Sequence, residues 1–272
     1  GIREHTRYVF TNPDMLHASV LGSHARWARV LRHLKYVVVD ECHTYRGVFG
    51  ANVALVLRRL LRIAAAYGSS PTLIYASATA ADPAGQARRL SGREAVAVTE
   101  DAAPSGERTI VLWEPGFIEG AEGEGGAPVR YPATAEAASV SAELLLQGAR
   151  TLTFVRSRRA AETVAMRTQE HLSTAGRADM AERVAPYRAG YLAEDRRELE
   201  RRLDNGELLG VASTNALELG IDVGGLDAVV MAGFPGTVAS FRQQAGRAGR
   251  RGQSSVAVLV ARDEPMDTYL VH

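Results

Sequence analysis

Four short strings carry the side chains able to do chemistry. The first is Asp40-Glu41-Cys42-His43, two adjacent carboxylates with a histidine two residues on, placed directly after the valines 37 to 39. An acidic pair of this kind suits a nucleotide site, where one carboxylate holds Mg²⁺ through water and the other takes a proton from an attacking water. A lone D-E-x-H is equally a strand end capped by two solvated acids, so the other strings carry the decision. The second is Ser77-Ala78-Thr79, whose hydroxyls can bond a neighbouring strand-end acid or histidine such as His43, or simply cap the next helix. The third runs from Thr214 to Asp222, TNALELGID. The last is QQAGRAGR, Gln243 to Arg250, which reads as two arginines three residues apart on one helix face with glycines that allow close backbone approach. Such a pair can meet γ-phosphate charge from across a domain cleft, a role worth roughly 10³ to 10⁵ in rate.

These strings must sit on elements, and the apolar pattern supplies them. A β-branched run such as Val37 to Val39 suits a strand buried on both faces, with Asp40 and Glu41 at its carboxyl end, where open α/β sheets hold their ligands. Before it, Tyr8 to Phe10 reads as a short strand and Thr11-Asn12-Pro13 as a turn into a helix with Pro13 at its first position. Residues 24 to 34 read as helix, 52 to 67 as an amphipathic helix ended near Gly68, and Thr72 to Ala76 as the next buried strand, parallel to the first. Around residues 99 to 135 the composition shifts, and the glycine-rich stretch Gly120 to Gly126 reads as a flexible link or surface loop. Thr109 to Trp113 then opens a second α/β run. It has helices at 135 to 147, from Ala160, at Glu194 to Leu203 and through Gln243, and strands at Thr151 to Val155, Leu209 to Ser213, Ala228 to Ala232 and Ser255 to Val260. Tyr187 to Tyr191 reads as a short strand or turn, and the charged Glu194 to Leu203 helix as a solvated face.

The bulk properties set bounds. With 272 residues the chain is long enough for two domains, expected at 1–100 and 101–272. Hydrophobic residues make up 46% and charged ones 23%, an ordinary globular balance. A net charge of +1 gives no global field, so any nucleic-acid surface must be local. Lys35 is the only lysine, a bias best ascribed to base composition. The single cysteine, Cys42, excludes an internal disulfide and fits a reducing compartment. No run approaches the ~20 apolar residues of a membrane span, so neither membrane nor leader is expected, and the chain is placed in the cytoplasm. It opens on Gly1-Ile2-Arg3 without a methionine, which suggests a piece of a longer protein.

Taken in order across two α/β domains, the four strings resemble the superfamily two helicases, the class of the DEAD- and DEAH-box enzymes. The resemblance covers nearly the whole chain. It implies an α/β fold of two RecA-like parallel-sheet domains, the first partial. More narrowly, TNPDMLH, DECHTYRGVFG, YRAGY and TNALELGID look like the Hrq, mitomycin-repair-factor and YprA-like group of 3′-to-5′ DNA helicases of genome maintenance. By that resemblance ATP and Mg²⁺ are the cofactors, Asp40 orients Mg²⁺, Glu41 is the general base, and His43 links the nucleotide site to the coupling residues Ser77 and Thr79. Arg247 and Arg250 would stabilise transition-state charge, with Gln243, Gly220 and Asp222 at the nucleotide. Thr11, Asn12, Pro13, Arg156, Ser157 and Thr214 would face the nucleic-acid backbone, where contacts position without reading sequence. Cys42 is read as packing. DNA is the expected partner, with RNA the alternative, and a prokaryotic, nucleoid-associated setting follows.

One departure stands out: the sequence holds no G-x-x-x-x-G-K-[ST], and Lys35, just before the valine strand, cannot serve as the phosphate-loop lysine. The chain therefore reads as the back of one helicase lobe and all of a second, and by itself is not expected to turn over ATP usefully. A non-catalytic nucleic-acid-binding module is the competing reading. Retention of Asp40, Glu41, Arg247 and Arg250 speaks against it, because a scaffold needs none of them.

Overall fold

Asn12 starts the first described helix as its sequence suggests. Its Oδ1 accepts the Met15 N–H at 2.8 Å and Pro13 supplies a preset φ, so α1 spans Pro13–Met15 and widens into a π-turn over Leu16–Leu21. The computed structural model describes residues 5–77, 80–100, 102, 106–187, 193–217, 225–249 and 252–272. Contacts divide the chain into two units, Gly1–Asp101 and Ala102–His272.

In the first unit, a 3₁₀ turn at His24–Trp27 and α2, Ala28–Arg32, lead into β1, Tyr36–Val39. The 20-residue α3, Gly47–Ala66, then returns the chain to β2, Thr72–Tyr75, which pairs parallel to β1 with Val37 opposite Leu73 and Val39 opposite Tyr75. Helix α3 begins five residues before the periodic stretch because Gly50 allows a close approach: a Cβ there would lie 2.5 Å from the Tyr45 carbonyl. Its buried Val53, Leu57, Leu60, Leu61 and Ala64 form the apolar stripe, in which Val53 and Leu57 pack with Val39, Cys42 and Leu90, and Leu60 packs with Leu21 and Leu31. Pro83–Ser91 forms α4.

Two expectations fail here. Tyr8 to Phe10 is not a strand, since no described strand lies beside it to share a ladder, and Phe10 is 97% exposed. The valine strand is buried on one face only: Val39 is 7% exposed but Val38 is 63%. Among the described residues α3 covers one side of the β1–β2 pair and nothing covers the other, and β-branched character does not tell these cases apart.

The second unit is built on a six-stranded, fully parallel sheet. Its strands are β3 (Arg108–Trp113), β6 (Thr151–Phe154), β7 (Val184–Tyr187), β8 (Gly210–Ser213), β9 (Ala228–Ala232) and β10 (Ser255–Val260), in the spatial order β3-β10-β9-β6-β8-β7. Helices cover both faces, as a parallel sheet requires. Alternate residues of β9 show it: Val230 and Ala232 join a core with α5 (Ala133–Leu146), α6 (Arg158–Thr174) and α7 (Ala178–Ala181). Val229 and Met231 join another with Leu203 of α8 (Ala193–Asp204) and Ala245 of α9 (Val238–Ala245). The molecule is thus α/β with a parallel sheet of the RecA-like kind. Among the described residues no helix is long and apolar enough to cross a membrane.

The glycine-rich stretch is a hairpin, not a loose link. β4, Phe117–Glu122, pairs antiparallel with β5, Pro128–Arg130, and Gly125 and Gly126 turn the chain at positive φ. Glycines concealed a short strand whose Ile118 and Ala121 are half-buried, and Arg130 sits 4.0 Å over the Phe117 ring. Helix α6 starts two residues earlier than its apolar pattern because Ser157 caps it, accepting the Ala160 N–H at 3.1 Å. Strand β7 covers 184–187, and the rest of YRAGY lies outside the described residues. A last helix, α10 (Pro265–Val271), has no counterpart in the sequence reading.

Candidate functional site

β1 delivers its acids into a tight turn. Val39 is the last strand residue, Asp40 Oδ1 accepts the Glu41 N–H at 2.9 Å, and Glu41 adopts φ 47°, ψ 40°, the only described non-glycine residue in the left-handed region. The turn is tied down by Thr44 Oγ1 donating to the Glu41 carbonyl at 2.8 Å and by the Cys42 N–H donating to the Ala76 carbonyl at 3.0 Å. A left-handed glutamate costs energy and persists only where its surroundings hold it.

His43 is buried beneath, its Nδ1 3.2 Å from Ser77 Oγ and 3.2 Å from Glu41 Oε2. The expected histidine–serine hydrogen bond is therefore made. Glu41 Oε2 is buried against the ring, within ion-pair range of Nδ1 and with no hydrogen bond among the described residues. The Glu41 side chain as a whole is 39% exposed, so water can reach the carboxylate and give it a proton. Burial pushes the Cys42 thiol up, so it stays neutral and packs with Val53, Leu57 and Leu90. Thr79 lies outside the described residues.

Asp40 fits a Mg²⁺ role by donor chemistry. Among the described residues no group of three or more His, Cys, Asp or Glu stands ready to enclose a metal. A single exposed, hard carboxylate, with water and phosphate completing the shell, is how Mg²⁺ is commonly held.

In the second unit the nominated residues fall at two ends of the sheet. Phe154 of β6 pairs with Ser213 of β8, so Arg156, Ser157 and Thr214 emerge together at neighbouring carboxyl ends. Arg156 is gripped by Glu264, Nη1 and Nη2 lying 3.1 and 3.3 Å from its two oxygens. Thr214 is buried, as Thr11 is not. Arg247 belongs to the other end: the Gly249 N–H donates to Leu226 O at 3.0 Å, just before β9, and Arg108 Nη2 donates to Ala248 O at 3.3 Å.

The arginine string is not one helix face. Helix α9 carries Gln243, ends at Ala245 and is capped by Gly246, so Arg247 lies in the following turn, 8% exposed. Glycine at 246 and at 249, the latter at φ 81°, breaks the helix where the i, i+3 argument needed it to continue. Gly220, Asp222 and Arg250 lie outside the described residues.

Sequence reasoning passed over a cluster behind Arg156. Asp267, 1% exposed, accepts from the Phe234 N–H at 3.0 Å and from Arg262 N and Nε at 3.0 Å each, with Nη2 on its other oxygen at 3.1 Å, while Arg262 Nη1 also reaches Glu264 at 3.1 Å. Burial pushes the Asp267 carboxyl up, against the opposing pull of the Phe234 N–H and the Arg156 charge. The only sequence trace was Glu264-Pro265, a helix-start signal. Asp267→Ala is expected to destabilise the second unit by about 1–3 kcal/mol, because it leaves the Phe234 N–H and part of the Arg262 guanidinium without an acceptor while Glu264 still pairs with Arg262; urea unfolding measures it.

The helicase conserved C-terminal domain family matches residues 136–252, and the DEAD/DEAH box helicase family matches residues 2–86. The chain belongs to the superfamily two helicases. Among helicases, it is 44% identical to the ATP-dependent helicase HRQ1 of Saccharomyces cerevisiae over 99% of its own length and 25% of that protein. It is also 44% identical to the ATP-dependent helicase YprA of Bacillus subtilis, over 99% of the chain and 35% of the relative. The crystal structure of the helicase MrfA bound to DNA and AMPPNP superposes with a TM-score of 0.90 at 44% identity, covering 99% of this chain and 36% of that one. The chain thus spans about a quarter to a third of the length of the curated relatives it matches, and it falls within the Hrq, mitomycin-repair-factor and YprA-like group.

Proposed function

We propose that the protein to which this chain belongs is an ATP-dependent DNA helicase that moves 3′ to 5′ and serves DNA repair or genome maintenance. The observation that carries the reading is Glu41: a part-exposed carboxylate in a strained turn, one oxygen 3.2 Å from His43 Nδ1, beside an exposed Asp40. Glu41 takes the proton from the water that attacks the γ-phosphate. Asp40 would hold Mg²⁺, which when bound would neutralise charge on the phosphates. His43 joins Glu41 to Ser77 and so links hydrolysis to the residues after β2. Arg247 and Arg250 meet the transition-state charge, with Gln243, Gly220 and Asp222 at the nucleotide. Thr11, Asn12, Pro13, Arg156, Ser157 and Thr214 hold the sugar-phosphate backbone. DNA is favoured over RNA because the similar MrfA structure holds DNA.

The test is ATP hydrolysis by the full-length protein with no nucleic acid, with single-stranded DNA and with RNA of the same sequence. Stimulation by DNA well above that by RNA is expected. Preference for RNA would point to dependence on the 2′-hydroxyl and an RNA helicase, and no hydrolysis under any condition would hand the protein to the binding-module reading.

A further inference from the structure

The left-handed turn at Glu41 is held from outside by one buried side chain that belongs to none of the chemical strings. Helix α4 starts at Pro83 with Asp82 as its cap, Oδ1 accepting the Gly85 N–H at 2.9 Å. A Cβ on residue 85 would lie 1.9 Å from Asp82 Oδ2, so glycine there leaves room for the capping carboxylate. One residue on, Gln86 is 9% exposed and donates from Nε2 to the Cys42 carbonyl at 2.6 Å. The acceptor is a carbonyl, so only the amide nitrogen can face it.

Cys42 is the residue between Glu41 and His43. Its N–H is bonded to Ala76 and its carbonyl also accepts the Tyr45 N–H at 3.1 Å. The Asp40 and Thr44 bonds to Glu41 lie within the exposed turn itself, where water can replace them. Gln86 reaches the same peptide run from a separate helix and from a buried position, where an unmade hydrogen bond is costly. We propose that Gln86 is a positioning residue for Glu41: its bond to the Cys42 carbonyl holds the turn that aims the carboxylate. This rests on Glu41 being the general base.

The experiment uses the full-length protein and compares DNA-stimulated kcat and KM for ATP in the parent, Glu41→Gln, Gln86→Leu and Gln86→Glu. Gln86→Leu keeps bulk and removes the donor; kcat should fall about tenfold with KM within about twofold, the mark of lost aim rather than lost binding. In Gln86→Glu the buried carboxyl donates only while protonated. Its kcat relative to parent should therefore be highest at low pH and fall as pH rises. That pH dependence is a readout that a role in folding alone does not produce. Parent-like kcat in both Gln86 variants, or a pH-independent deficit in Gln86→Glu, overturns the proposal while leaving the Glu41 reading intact. Full hydrolysis by Glu41→Gln overturns both.

Discussion

Glu41→Gln in the full-length protein is expected to lower DNA-stimulated ATP hydrolysis by about 10²- to 10⁴-fold, the usual worth of a positioned general base. The amide has the same shape, and residue 41 keeps its bonds to the Asp40 carboxylate and the Thr44 hydroxyl, which use only its own backbone N–H and carbonyl. What is lost is the ability to accept a proton. Nucleotide affinity should change little, so single-turnover hydrolysis and equilibrium binding of a fluorescent nucleotide measured side by side separate chemistry from binding. A variant that hydrolyses ATP at the parent rate would show that the buried oxygen is only a packing feature.

Arg250→Ala is expected to cost about 10³-fold in stimulated hydrolysis, the low end for an arginine that meets transition-state charge. Arg250→Lys should recover only part of it, because an ammonium lacks the planar fork that grips two phosphate oxygens. Arg250 is the better of the two arginines to change. Arg247 is 8% exposed in the turn behind α9, so its removal disturbs packing along with chemistry. Equal loss of DNA binding and hydrolysis in Arg250→Ala would mean that the residue acts on nucleic acid instead.

The parts of the fold legible in the sequence were those where one period dominates: the stripe of α3, the buried runs of β6, β9 and β10, and the parallel return from β1 to β2. Legibility failed where tertiary surroundings decide. The same valine residues would serve a strand covered on both faces or on one, and Val38 turned out exposed. Gly120 to Gly126 signalled looseness, yet positive-φ glycines are what a hairpin turn needs. The arginine string obeyed helix spacing until Gly246 ended the helix. For the candidate site, residue types located the acids, the histidine and Ser77. Nothing in the string DPAGQARR marked Gln86 as reaching 44 residues back to Cys42, because a side chain's distant partner leaves no local period. The same holds for Asp267, which follows a recognisable helix start but is given its partners by the return of the chain to Phe234.

The left-handed glutamate sets folding against use. Glycine at position 41 would relax a backbone that glutamate adopts only under strain, a relief on the order of 1 kcal/mol, and asparagine would sit there more easily too. Drift under selection for a folded chain alone would therefore carry the position away from glutamate. Glutamate stands at that position although glycine would fold more easily, and heat-selected libraries of this protein should accumulate inactive winners at that one codon.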